Sequence, residues 1–78
     1  MDIASFVTKM EAHMELDEGV LQEGTPLRTL SAWDSFAVIG YIALVDQLFH
    51  RSVASKDITQ AKTINDLYML AQGKLIES

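Results

Sequence analysis

Apolar side chains at Ile3, Phe6, Val7, Met10, Met14 and Leu16 fall at spacings of three and four. That period predicts an amphipathic helix over residues 3–16, with Asp2 as its N-cap and fraying near Asp17-Glu18-Gly19. The period is lost over residues 19–34, where Gly19, Gly24 and Thr25-Pro26 break regular structure. Leu27, Leu30 and Trp33 still recur every three residues, so a long structured loop pinned to the core is expected. A loop of this length in so small a chain is usually functional.

Asp34 is positioned to cap a second helix over Ser35–Phe49, which opens on "FAVIGYIALV", ten residues without a charge. Its β-branched residues would suit a strand, but apolar character persists to Leu48-Phe49, longer than strands usually run. Val38, Tyr41, Ile42, Val45, Leu48 and Phe49 form one stripe at helical spacing. Phe36, Ile39 and Ala43 form another, beginning beside Ser35, where an ordinary surface helix would be polar. Residues 52–61 predict a connection and a short helical turn. A last helix opens at Thr63, whose pairing with Asp66 resembles a capping box. Ile64, Leu67, Tyr68, Leu70 and Ala71 are its expected buried face, and Gly73 stands where a C-terminal cap belongs. The expected fold is all-α, a small bundle of three main helices and one short helix, forming a single domain over residues 1–78.

Composition narrows the partners. Cysteine is absent, which removes disulfides and thiolate metal sites. No basic stretch precedes an apolar run at the N-terminus, so no secretory signal is expected. The uncharged run is too short to span a bilayer, which takes about 20 residues. A cytoplasmic monomer without membrane insertion is the expectation. The net charge is −5. All of it falls in residues 1–34, with seven acids and two bases; residues 35–78 hold four of each. Without a basic patch interleaved with aromatics, nucleic acid is not an expected partner.

Ser35 is the residue whose chemistry matters most. As a hydrolase nucleophile it fails, because no G-x-S-x-G elbow surrounds it. The histidines are His13 and His50, and His50 lies about 22 Å further along the helix. No catalytic residue is expected, and no metal site, since Glu11, Glu15, Asp17 and Glu18 have the pattern of a solvated face. A serine at a helix N-terminus does sit in positive potential beside free amides, where an attached phosphate is favoured. The hydroxyl is thus placed to carry a phosphodiester that another enzyme would attach. The plainer alternative is that Ser35 is only part of the helix cap, in a helical protein-interaction module.

"LRTLSAWDSFAVIGYIALVDQLF", followed by "TINDLYML", resembles the acyl carrier proteins, in particular free-standing bacterial carriers with a WDS motif. The resemblance spans nearly the whole chain and is strongest from Leu27 to Phe49. It implies an acyl-carrier-like bundle, and a phosphopantetheine arm attached to Ser35, with Asp34 before it and Phe36 in the usual leucine place. Phe49 matches a recurrent phenylalanine, and Thr63-Ile64 with Asp66-Leu67 is similar to the usual opening of the last helix. The implied partners are a phosphopantetheinyl transferase, which draws the arm from coenzyme A with magnesium, and the enzymes that load and transfer the acyl group as a thioester. An aminoacyl or peptidyl carrier would share the fold and the serine. Fatty-acid carriers place acids along the docking face of the second helix; here the matching stretch offers Ala37, Gly40, Gln47 and Leu48, with only Asp46 acidic. Phe36, Ile39 and Ala43 are the expected docking residues, by apolar burial more than by charge.

Overall fold

The computed structural model describes residues 2–74. In chain order they form α1 (Ile3–His13), a 3-10 turn (Leu27–Thr29), α2 (Ser35–Phe49), α3 (Ser55–Gln60) and α4 (Ile64–Ala71). No strand occurs among the described residues, so the all-α expectation holds, and the bounds of α2 are those the sequence predicts.

Helix α1 begins as expected, the Ser5 amide donating to the Asp2 carboxylate at 2.9 Å. It stops three residues earlier than its apolar period. Met14 is the C-cap, and Glu15 takes a left-handed conformation (φ 58°) that turns the chain back. The Leu16 amide then donates to the Glu11 carbonyl at 2.8 Å. Met14 stays buried and Leu16 packs against the core. The apolar pattern therefore outlasts the helix, because a reversed chain can deliver the same side chains to the same core.

The loop between α1 and α2 is tied down at both ends. Glu11 is 3 % exposed, and its Oε2 accepts the Gly19 amide at 2.9 Å and the Leu21 amide at 2.8 Å. This corrects the expectation of a solvated acidic face at that residue. Further on, the Leu27 amide donates to the Lys62 carbonyl at 2.8 Å, and Pro26 bridges to Thr63. Loop carbonyls also complete the start of α4. Glu23 accepts the Asn65 amide at 2.8 Å, and Thr25 accepts the Ile64 amide at 3.3 Å. The Thr63 hydroxyl takes the Asp66 amide, and the Asp66 carboxylate accepts from the amides of Lys62 and Thr63, so the predicted capping box is present. The orphan amides of that helix end are thus satisfied by loop and cap together.

Phe6 is the centre of the core. Its ring meets those of Tyr41, Phe49 and Tyr68 at centroid distances of 6.3, 6.4 and 5.4 Å. Tyr41 joins α2 to α4, its phenol donating to the Leu67 carbonyl at 2.7 Å. Burial pushes that phenol well above its usual pKa. Leu21, Leu27, Val45, Ile58, Ile64, Leu67 and Ala71 complete one continuous buried cluster. Leu67 is fully buried as expected, whereas Phe49 is half-buried and packs at the margin.

Candidate functional site

The site is built from a cap and one helix face. Asp34 is extended (φ −119°, ψ −173°), and its Oδ1 accepts the Ala37 amide at 2.9 Å. Its carbonyl accepts the Val38 amide at 3.0 Å. Asp34 therefore spends Oδ1 and its carbonyl on the first turn of α2, as an N-cap should. Ser35 follows as the first helical residue and is exposed. Among the described residues, the amides of Ser35 and Phe36 have no protein acceptor, so they stay available at the positive end of the helix dipole. No acidic residue lies in that first turn.

Downstream of Ser35 the helix presents its second apolar stripe to solvent. Phe36 is 77 % exposed and Ile39 66 %, and Ala43 is exposed one turn beyond. Ile39 is therefore no core residue beneath the loop. Asp46 and Gln47 continue the same face. Ala37 and Gly40 do not share it: both are buried on the core side, with Tyr41 and Val45. Gly40 lies beneath the His13 side chain of α1, since a Cβ there would overlap the imidazole. Those two positions are unavailable for docking, and the exposed face is the narrower Phe36–Ile39–Ala43 stripe.

Among the described residues no imidazole stands beside Ser35, and the neighbouring Asp34 carboxylate is engaged in the cap. His13 packs across Gly40, and His50 closes α2 at the opposite end in a left-handed conformation (φ 55°). Among the described residues no cluster of His, Cys, Asp or Glu is gathered as for a metal ion. No helix among them is long and apolar enough to cross a membrane.

The sequence pointed to Ser35, Asp34, Phe36, Ile39 and Ala43, and the structure brings all five to one end and one face of α2. It did not point to Glu11, which orders the loop leading to the site. The available signal was its place at the edge of the α1 stripe, four residues after Val7. Its amide partners lie eight and ten residues further on, where no local pattern marks them. No family model, curated protein or solved structure matches the chain.

Proposed function

We propose that this chain carries acyl groups as thioesters on a phosphopantetheine arm attached to Ser35, and that it is not itself an enzyme. The observation that carries the proposal is an exposed serine opening a long helix, directly after a satisfied Asp34 cap and directly before an exposed apolar stripe.

The residues present fit such a group. The Ser35 hydroxyl is reachable, and the amides of Ser35 and Phe36 favour a phosphate there. Asp34 holds the helix start in place and so fixes the backbone that carries Ser35. Ser35 gains a phosphoester bond only as it loses its proton and as the pyrophosphate bond of coenzyme A breaks, releasing adenosine 3′,5′-bisphosphate; among the described residues the carboxylate beside it, Asp34, is engaged in the helix cap. A separate phosphopantetheinyl transferase, drawing on coenzyme A, is therefore part of the proposal, and it implies a cytoplasmic setting. The chemistry belongs to the arm and the partner enzymes, which suits a small rigid body. Phe36, Ile39 and Ala43 are the proposed docking surface for the loading and transfer enzymes. An exposed apolar stripe is costly in water unless something covers it.

The test is intact mass after incubation with coenzyme A and a broad-specificity phosphopantetheinyl transferase. The wild type should gain one phosphopantetheine. Ser35→Ala should keep its helical circular dichroism and gain none. An unmodified wild type would leave a plain helical interaction module as the better account.

A further inference from the structure

A second site lies at the far end of α2 from Ser35, about 22 Å along the helix axis. Beyond His50 the chain crosses to α3, and residues of that crossing, of α3 and of the end of α4 enclose a cleft of about 220 Å³. That is some seven times the ~30 Å³ share of a water molecule in the liquid. The space suits one small ligand. Val53 and Leu70 supply apolar lining, Gln60 an amide, Arg51 and Lys74 two cations, and Asp57 one acid. The charged lining sums to +1 (two cations less one acid) in a chain whose net charge is −5.

The Arg51 side chain is exposed, and its head group rests beside Gly73. It lies against the α-carbon of Gly73, where any Cβ would overlap the guanidinium. Gly73 is also left-handed (φ 81°), which already favours glycine. One glycine thus ends α4 and makes room for the arginine. Among the described residues, neither Arg51 nor Lys74 forms an ion pair.

We propose that this cleft binds a short-chain aliphatic carboxylate. Its head group pairs with Arg51, whose planar fork matches a carboxylate, and with Lys74. Its methylenes lie on Val53 and Leu70. A single negative charge balances the +1 lining, whereas a phosphate monoester would bring close to two. An inorganic anion would leave the apolar lining unused. The inference is independent of Ser35.

The experiment is a proton–nitrogen NMR titration of the full chain at constant ionic strength with sodium hexanoate, 1-hexanol and inorganic phosphate as separate probes. Hexanoate should shift the amides of Gln60, Leu70 and Gly73 and saturate, with a Kd of about 1–10 mM for a ligand of this size. Hexanol and phosphate should each bind at least ~10-fold more weakly, and so should hexanoate to Arg51→Gln. Ser35→Ala should bind hexanoate as the wild type does, which separates this proposal from the assignment of the serine. Lys74→Gln, on the exposed end of the chain's described part, should weaken hexanoate several-fold and stands in if Arg51→Gln fails to fold. The proposal is overturned by the absence of saturable shifts, by equal binding of hexanol or of phosphate, or by unchanged affinity in a folded variant of either cation.

Discussion

Glu11 shows how one side chain can set the geometry of a loop. Its carboxylate is buried and accepts two backbone amides, so removing it strands two donors. A buried stranded donor such as the Leu21 amide costs about 1–3 kcal/mol, and the part-buried Gly19 amide costs less because water can reach it. Glu11→Ala should therefore lower the unfolding free energy by roughly 2–4 kcal/mol in urea titrations, while Glu11→Gln, which keeps an acceptor, should lose distinctly less. Equal losses in the two variants would mean that the hydrogen bonds are not what Glu11 contributes. Tyr41 makes a prediction about pH. Its phenol is neutral when folded because burial raises its pKa, whereas in the unfolded chain it titrates near ~10. Its contribution is whole below pH ~10 and is lost as the pH rises above that, since the unfolded chain then binds fewer protons than the folded one. Stability measured from pH 8 to 11 should fall in the wild type and fall less in Tyr41→Phe. Tyr41→Phe should also cost about 0.5–1.5 kcal/mol at neutral pH by removing the phenol's hydrogen bond to the Leu67 carbonyl.

At the scale of elements, α2 is where local and tertiary demands meet. Gly40 weakens the helix by about 1 kcal/mol relative to alanine, yet a Cβ there would overlap His13. The overlap is with the tip of an exposed side chain that can swing aside, so propensity should win. Gly40→Ala should be neutral to ~1 kcal/mol stabilising, and more stabilising in a His13→Ala background. A loss above ~1 kcal/mol in both backgrounds would show that backbone approach, and not the imidazole, requires the glycine. The opposite face gives a cleaner test of docking. Ile39→Glu should leave the melting temperature within a few degrees of the wild type, because the side chain is mostly in solvent, while sharply reducing acyl transfer from a cognate partner. What the sequence revealed at this scale was what is settled locally. Asp34 and the Thr63–Asp66 box announce helix starts within three residues of themselves, and the apolar run fixes the length of α2. The left-handed Glu15, the burial of Ala37 and Gly40 and the incomplete burial of Phe49 depend on which element packs where. No local spacing carries that information.

At the scale of the whole molecule, three helices and a loop share one aromatic centre. A chain of this length has a total stability of roughly 4–12 kcal/mol. Phe6→Ala, removing the fully buried ring that touches three others, should cost about 3–5 kcal/mol and bring the chain close to unfolding. Phe49→Ala, at the half-buried margin, should cost distinctly less; near-equal melting temperatures for the two variants would contradict this arrangement of the core. The body that results is small and tightly tied, with the exposed Ser35 at one end of α2. The most direct test of that account is to locate the modification. After incubation with coenzyme A and a phosphopantetheinyl transferase, tryptic cleavage at Arg28 and Arg51 releases the peptide of residues 29–51, which contains both Ser31 and Ser35. Fragmentation of that peptide should place one phosphopantetheine on Ser35 and none on Ser31, and an unmodified peptide, or an arm on Ser31, would contradict the account.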